Sequence, residues 1–171
     1  MPYLTHLLQV TAWVGESGGD EDQMIAAVLH DYLEDIDGSS PEALTERFGQ
    51  RVTDLVLALS DTTERPKPPW RDRKVRYLAH LRGESAAVKL ICACDKLHNV
   101  TTILRDLTDP DGIGEAIWGR FNPTREGVLW YYRQLTHALA AGWVHPRVDE
   151  LRGVVQALHD AVGASWPEDG S

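Results

Sequence analysis

The sequence is short of the features that mark secreted and membrane proteins. Its 171 residues include only two cysteines, Cys92 and Cys94, and side chains two positions apart on a helix point about 200° away from each other, so neither a disulfide nor a shared metal is expected. No apolar run approaches the roughly 18–20 residues that cross a bilayer. The first residues, MPYLTH, have neither the basic start nor the apolar stretch of a signal peptide. Together these absences predict a cytoplasmic protein whose thiols stay reduced.

Basic residues are scarce as well. Lysine and arginine number 17 against 26 aspartate and glutamate residues, which gives a formal net charge of −9. Non-specific binding to nucleic acid and attachment to anionic membranes both require a basic excess, so we expect neither partner. Six of the basic residues nevertheless fall within twelve positions: Arg65, Lys67, Arg71, Arg73, Lys74 and Arg76. They form either a solvated helix face with its loop or an edge that grips phosphate groups, in which case Arg71 and Lys74 are expected to bind the substrate.

Helical periodicity dominates the sequence, and no segment alternates apolar and polar residues in the manner of a strand. The sequence therefore predicts an all-α fold, with a single compact domain of seven or eight helices over residues 1–162 and a flexible tail over 163–171. The expected helices cover about 3–14, 25–36, 41–48, 52–59, 70–82, 85–107 and 122–142, and a last one starts at Pro146. A turn-rich loop is expected over 109–114.

The second expected helix carries a cluster of polar residues opposite its apolar stripe. At about 100° per residue, one face of this helix carries the polar residues His30, Asp31, Glu34 and Asp35. The small Ala27 lies among them and leaves room for another group to approach. Such a face is ordinarily a solvated acidic surface. A second set of polar residues, further along the chain, favours another interpretation.

The long helix over 85–107 is apolar on two sides, which is typical of a helix in the middle of a domain. It therefore directs Asp95 and Asn99 inward, where an unpaired carboxylate is costly. Asp95 then requires a cation, a hydrogen-bond network or a metal ion, and a buried salt bridge is the simplest of these.

His6, on the first helix, completes a set of two imidazoles and two carboxylates with His30, Asp31 and Asp95. A single histidine on an apolar face is more often a core residue than a ligand. As a set, however, these side chains offer mixed nitrogen and oxygen ligands that suit Mn²⁺, Fe²⁺ or Zn²⁺. Glu34 and Asp35, one turn further on, would orient or deprotonate a water molecule at the metal.

These residues reproduce the H…HD…D signature of HD-domain phosphohydrolases, which the sequence resembles. Over about residues 2–135 it looks like the hydrolase domain of the RelA/SpoT family and its small stand-alone members, in the segments PYLTH, AAVLHDYLED, RFGQRV, DKLHNVTT and EGVLWYY. That family is all-helical, usually binds Mn²⁺ and removes the 3′-pyrophosphate of (p)ppGpp, while some stand-alone relatives dephosphorylate NADPH. The resemblance therefore implies a metal-dependent phosphohydrolase that acts on a small phosphorylated nucleotide.

The resemblance also implies roles for single residues. It makes metal ligands of His6, His30, Asp31 and Asp95. Glu34 and Asp35 match the acidic pair that activates the attacking water. Asn99 and Thr102 match positions that contact water at the metal site and the nucleoside, and Tyr131 falls near a tyrosine of the family's later helix.

Two features depart from the family's pattern. Thr101 stands where the family often has arginine, and no basic R-x-K-D-G-like segment precedes Pro2-Tyr3. Either Met1 is not the native start or the substrate is held in another way. Three other interpretations stay open: an HD phosphatase of another nucleotide or metabolite such as NADPH, a catalytically silent nucleotide-binding regulator, and a purely structural helical protein.

Overall fold

The computed structural model describes residues 2–62, 64 and 66–165, and these residues form nine α-helices and one 3-10 helix. The first five α-helices are α1 (Tyr3–Glu16), α2 (Glu21–Val28), α3 (Tyr32–Asp35), α4 (Pro41–Phe48) and α5 (Gln50–Leu59). The other four are α6 (Trp70–Arg82), α7 (Ala86–Thr108), α8 (Arg125–Ala140) and α9 (Pro146–Ala161), and the 3-10 helix covers Gly114–Arg120. The predicted all-α fold with a single compact domain is confirmed. The described residues form nine α-helices, where seven or eight helices were expected.

Helix α7 lies at the centre of the fold, as its two apolar sides predicted. Four consecutive residues have no solvent-exposed surface, so the helix is covered all round at this level: Ile91, Cys92, Ala93 and Cys94. It contacts α1, α2, α5, α8, α9 and the 3-10 helix. Both cysteines are free thiols, as expected. Side chains from every face of α7 at this level therefore point into the interior, and the polar residues Lys89, Asp95 and His98 are buried as well.

The second expected helix is interrupted where the candidate site begins. α2 ends at Val28, residues 29–31 form a turn, and α3 follows. The prediction of one continuous helix over 25–36 is therefore wrong. His30 Nδ1 lies 2.7 Å from the Ala27 carbonyl oxygen, which gives this helix-end carbonyl a side-chain partner. Two members of the predicted apolar stripe, Val28 at the end of α2 and Ile36 directly after α3, are exposed.

Three of the helix starts follow their expected signals. The Ser40 hydroxyl accepts a hydrogen bond from the backbone N–H three residues on at the start of α4, and the Ser85 hydroxyl does the same at the start of α7. Pro146 is the first residue of α9. Between α4 and α5 the chain turns at Gly49, whose φ of 86° lies in the left-handed region that glycine adopts most readily.

The segment between α7 and α8 has more regular structure than the sequence predicted. The expected loop over 109–114 leads into the 3-10 helix, whose Ile117 is buried. α8 then begins at Arg125 rather than at Asn122-Pro123, because the Thr124 hydroxyl accepts a hydrogen bond from the Gly127 N–H. The 3-10 helix packs on α7 and adds a further layer to the core.

The last helix ends shortly before the residues that the sequence assigns to a flexible tail. α9 ends at Ala161, and a turn follows in which the Ala164 N–H donates a hydrogen bond to the His159 carbonyl. The rest of the predicted tail, residues 166–171, lies outside the described residues, as does Arg65 of the predicted basic edge. The division at residue 162 stays a prediction. Within the described part of the chain, no helix is both long and apolar enough to cross a membrane.

A buried lysine holds two helix ends together. Lys89 of α7 is buried, and its Nζ donates one hydrogen bond to the Arg82 carbonyl at the end of α6 (3.0 Å) and another to the Ala141 carbonyl directly after α8 (2.6 Å). Carbonyl groups at helix C-termini lack partners within the helix and carry the negative end of its dipole, so an ammonium group stabilises both. Lys89 therefore fixes the ends of α6 and α8 on α7.

Replacing Lys89 with Met removes the ammonium group and keeps most of the aliphatic stem. We expect the free energy of unfolding to fall by about 2–4 kcal/mol, because two charge-assisted hydrogen bonds are lost at once. Urea unfolding followed by circular dichroism measures the change. Arg152→Met, on the surface of α9, is the control and should change stability by less than about 0.5 kcal/mol. A Lys89→Met protein as stable as the wild type would contradict the role assigned to the ammonium group.

Candidate metal centre and its cavities

Four side chains from three separate parts of the chain meet at one point. His6 comes from α1, His30 and Asp31 come from the turn between α2 and α3, and Asp95 comes from α7. The Nε2 atoms of His6 and His30 lie 3.3 Å apart, and Asp95 Oδ1 lies 3.3 Å from the first and 3.6 Å from the second. Asp31 Oδ2 lies 3.3 Å from His30 Nε2. The structure thus brings together the four residues that the sequence predicted as metal ligands.

Contacts behind the two imidazoles orient their rings. The Ala27 carbonyl engages Nδ1 of His30, which leaves Nε2 of the same ring facing the cluster. Behind the other imidazole, Nδ1 of His98 lies 2.9 Å from Nδ1 of His6. In both rings, therefore, Nδ1 is engaged away from the cluster and Nε2 is directed into it.

The two carboxylates of the cluster are held by different donors. The Tyr3 hydroxyl donates a hydrogen bond to Asp31 Oδ2 at 2.7 Å. Asn99 Nδ2 donates to Asp95 Oδ1 at 2.7 Å, and Lys96 Nζ lies 2.5 Å from Asp95 Oδ2. Asp95 therefore presents one oxygen to the imidazoles and the other to an ammonium group.

The carboxylates create a field that favours positive charge at the cluster. Burial alone would lower the pKa of His30, but the charge of Asp95 and the hydrogen bond to Asp31 raise it to about 10. Burial would raise the pKa of Asp95, whereas the charges of Lys96 and His30 hold it well below its usual value. A site that stabilises an imidazolium in this way also stabilises a bound cation. Together with the mixed nitrogen and oxygen donors, this suits a divalent metal ion. His6, His30 and Asp31 each offer a donor atom within 4.8 Å of the others, and Asp95 Oδ1 lies beside both imidazoles.

The predicted catalytic pair follows one turn after Asp31, and its two members have different surroundings. Glu34 is largely buried, and its Oε1 accepts a hydrogen bond from the Asp61 backbone N–H at 2.8 Å. Burial, and then the charge of Asp61, raise the pKa of Glu34. Asp35 is exposed, and its Oδ1 lies 3.5 Å from Lys67 Nζ. Of the two carboxylates, Glu34 has the surroundings that suit a general base.

A first cavity, of about 480 Å³, opens beside the cluster. Two ligand candidates and both residues predicted to contact water and nucleoside lie on its wall, together with aromatic and basic side chains. The lining includes His6, Asp31, Asn99, Thr102, Arg120 and Phe121. The cluster is thus open to a small molecule in this cavity.

A second cavity, of about 340 Å³, adjoins the first, since Arg120, Phe121 and Tyr132 line both. Its own lining includes Trp70, Lys74, Lys96 and Tyr131. Burial, and then the charge of Lys96, lower the pKa of Lys74. Lys74, one of the two basic residues predicted to bind the substrate, therefore faces a cavity next to the cluster.

The basic residues of α6 are only partly available to a ligand. Arg73 and Lys74 both contact the buried carboxylate of Asp61. Arg71 lies over the Trp130 ring, 3.1 Å from its centroid, and it lines neither cavity. Substrate binding by Arg71 stays a prediction that this geometry does not favour. Substrate binding by Lys74 stays a prediction as well, since Lys74 lines the second cavity but also contacts Asp61.

Three further residues of the site had no predicted role, and these are Tyr3, Asp61 and Lys96. A signal existed for Lys96, because a lysine next to Asp95 on a helix apolar on two sides also points inward and needs a partner. Asp61 follows the end of α5, and its contact with Glu34 depends on the packing of α3 on α5. No local pattern reveals that packing.

Comparison with known proteins shows similarity over most of the chain. A family model described as HD domain matches residues 1–129. The guanosine-3′,5′-bis(diphosphate) 3′-pyrophosphohydrolase of Aquifex aeolicus (strain VF5) is 36% identical over 102 residues, which are 60% of this chain and 14% of that protein. A protein of the same activity name from Xenopus tropicalis is 35% identical over 118 residues, which are 67% of this chain and 62% of that protein. The chain thus spans between 14% and 62% of the length of these curated relatives.

The fold is shared with a solved structure as well. A metazoan orthologue of SpoT that hydrolyses ppGpp superimposes with a TM-score of 0.71 at 25% sequence identity. The match covers 91% of this chain and 81% of the other. The similarity therefore extends through nearly all of the helices that carry the cluster and the two cavities.

Replacing Asp61 with Asn removes the buried carboxylate that neutralises Arg73 and Lys74. We expect the free energy of unfolding to fall by about 3 kcal/mol or more, because two largely buried cations lose their counter-charge. Thermal and urea unfolding measure this loss. Asp54→Asn, at an exposed position of α5, is the matched control and should shift stability by less than about 0.5 kcal/mol. Equal stability of the two variants would show that Asp61 is not an essential counter-ion.

Proposed function

The chain belongs to the HD-domain family, and we propose that it is a metal-dependent phosphohydrolase that removes the 3′-pyrophosphate of guanosine 3′,5′-bis(diphosphate). The observation that carries this proposal is the meeting of two imidazole nitrogens and two carboxylates beside a cavity. Relatives named for this activity support the choice of substrate.

The metal ligands in this proposal are the four residues of the cluster, His6, His30, Asp31 and Asp95. We assign Mn²⁺ as the bound ion. The ligands are imidazole nitrogens and hard carboxylate oxygens, which suit Mn²⁺, whereas the thiolates typical of many zinc sites do not occur among them. When bound, the ion supplies positive charge that acidifies the attacking water and offsets charge on the phosphate oxygens. Tyr3 and Asn99 keep the two carboxylates oriented through their hydrogen bonds.

Glu34 is the general base of the proposed reaction. The hydrogen bond from the Asp61 N–H fixes its carboxylate, and its raised pKa makes it a better proton acceptor than an ordinary surface glutamate. Asp35 is exposed and lies beside Lys67, and it is the second member of the acidic pair. Its role in this proposal is to orient the attacking water. The proton of that water passes to Glu34 as the water oxygen forms a bond to the phosphorus next to the sugar. The bond from that phosphorus to the sugar oxygen breaks, and the sugar oxygen keeps the electron pair and takes up a proton, which leaves a sugar hydroxyl and pyrophosphate.

The nucleoside occupies the first cavity in this arrangement. Asn99 and Thr102 offer polar groups to it, while Phe121 and Tyr132 offer aromatic surface. The opening at the cluster then receives the phosphate attached to the sugar. A small phosphorylated nucleotide therefore matches the shape and chemistry of the site.

Metal removal tests the cluster directly. Treatment with EDTA should abolish phosphohydrolase activity, and added Mn²⁺ should restore it. Asp95→Asn keeps the shape of the side chain but replaces a charged ligand with a neutral amide, so Mn²⁺ affinity should fall by about two orders of magnitude or more. Titration calorimetry measures the affinity, with Asp149→Asn on the surface of α9 as the control. If Asp95→Asn binds Mn²⁺ as tightly as the wild type and is equally active, the assignment of Asp95 as a metal ligand is wrong.

Glu34→Gln separates proton transfer from metal binding. The variant should bind Mn²⁺ with an affinity within about threefold of the wild type, because Glu34 is not a ligand in this assignment. Its kcat should fall by about 100-fold or more, as expected for the loss of a general base. The assay follows pyrophosphate released from ppGpp, with orthophosphate released from NADPH as the comparison. An active Glu34→Gln enzyme would remove Glu34 from the reaction, and release of orthophosphate from NADPH alone would assign the site to a phosphatase instead.

A further inference from the structure

The contacts behind the two imidazoles of the cluster differ in one chemical respect. Behind His30 lies the Ala27 carbonyl oxygen, which can only accept a hydrogen bond. Behind His6 lies another imidazole, that of His98, and the two Nδ1 atoms are 2.9 Å apart. An imidazole nitrogen donates when it carries a proton and accepts when it does not. The carbonyl therefore keeps a proton on Nδ1 of His30, whereas the hydrogen bond between His6 and His98 can run in either direction.

Metal binding requires one of these two directions. A histidine binds a metal ion through a ring nitrogen that carries no proton, and the atom that His6 turns toward Asp95 and His30 is Nε2. The proton of His6 must then lie on Nδ1, in the contact with His98. Because one hydrogen bond holds one proton, His98 Nδ1 must be unprotonated and accept it. A donor in place of His98 would leave the proton of His6 on Nε2 and prevent ligation.

The carboxylate of Asp95 competes with His98 for this proton. Its Oδ1 lies 3.3 Å from His6 Nε2, so a proton on Nε2 would find an acceptor there. Without an acceptor behind the ring, the carboxylate would draw the proton to Nε2, and this nitrogen would donate a hydrogen bond instead of binding a metal ion. The contact with His98 therefore decides which face of the His6 ring carries the proton.

Packing keeps the His98 ring in the position that this contact needs. His98 belongs to α7 and is only 8% exposed. The ring of Trp13 from α1 lies edge-on to it, with 5.8 Å between the ring centroids. Trp13 is in turn covered by Arg147 of α9, whose guanidinium carbon lies 5.2 Å from the centre of the indole ring. A buried ring in such packing has little freedom to rotate, so its Nδ1 stays directed at His6.

We propose that His98 is a positioning residue of the candidate metal centre: its Nδ1 accepts the hydrogen bond from His6 Nδ1 and keeps His6 Nε2 free to bind the metal ion. His98 is not a ligand in this assignment, since its Nδ1 faces the His6 ring and not the cluster. The inference rests on the metal site of the proposed function and is independent of the substrate.

Titration of the metal-free full chain with Mn²⁺, followed by calorimetry, tests the role without any measurement of activity. His98→Phe keeps an aromatic ring beside Trp13 but has no acceptor, so the Kd for Mn²⁺ should rise about 10-fold or more. His98→Asn restores an acceptor, because the amide oxygen of asparagine and Nδ1 of histidine are both bonded to Cγ, and its Kd should stay within about threefold of the wild type. His80→Phe, at an exposed position of α6, is the matched control and should leave the Kd within about twofold of the wild type.

Nitrogen-15 NMR of the metal-free protein measures the position of the proton itself. In the wild type and in His98→Asn, the His6 ring should carry its proton on Nδ1. In His98→Phe the proton should move to Nε2, where Asp95 Oδ1 accepts it. The His6 signals are identified by their absence from the spectrum of His6→Gln. A role of His98 in packing alone would leave the proton on the same nitrogen in all of these proteins.

Assays of ppGpp hydrolysis separate this inference from the proposed function. Mn²⁺ binding that is weakened in His98→Phe and restored in His98→Asn, in a protein that does not hydrolyse ppGpp, would support the role of His98 while overturning the hydrolase. Hydrolysis of ppGpp by the wild type, together with unchanged Mn²⁺ affinity and an unchanged proton position in His98→Phe, would overturn the role of His98 and leave the hydrolase in place. A wild-type protein that does not bind Mn²⁺ would overturn both.

Discussion

Asp95 is buried in the middle of a helix that is covered all round, so its negative charge must be compensated by the side chains packed against it. Lys96 and Asn99 do this from α7 itself, and His6 and His30 do it from α1 and from the turn after α2. The contacts with His6 and His30 exist only when α1 and the turn after α2 pack against α7. The core and the candidate site are therefore parts of one arrangement.

The two oxygens of this carboxylate divide the interior into two chemically different regions. On the side of Oδ1, imidazoles and carboxylates gather in a cluster that favours a cation. On the side of Oδ2, Lys96 and Lys74 line a cavity that favours an anion. A chain with a formal net charge of −9 thus contains a cavity lined by basic side chains, where the local positive charge can attract an anion.

Much of this could be predicted from the sequence, because a polar residue on an apolar helix face is informative wherever it occurs. Asp95 and His6 stand out in this way, the pair His30-Asp31 is singled out by the resemblance to the HD signature, and the all-α fold follows from the helical period. The break after Val28 could not be predicted, since the apolar spacing continues through it while a side-chain contact ends the helix. The second cavity could not be predicted from the sequence either. Its walls come from α6, α7 and α8, and their relative positions depend on tertiary packing rather than on any local pattern.

The two hydrogen bonds of Lys89 limit how the helices around the second cavity can move relative to each other. It binds the C-terminal end of α6 and the end of α8 to the same point on α7. The residues that line the cavity, such as Trp70 and Tyr131, lie nearer the other ends of these helices. If α6 and α8 separate while these two hydrogen bonds are kept, the two helices rotate about the point held by Lys89. The widest separation would then occur beside Trp70, at the ends of the two helices that lie away from Lys89.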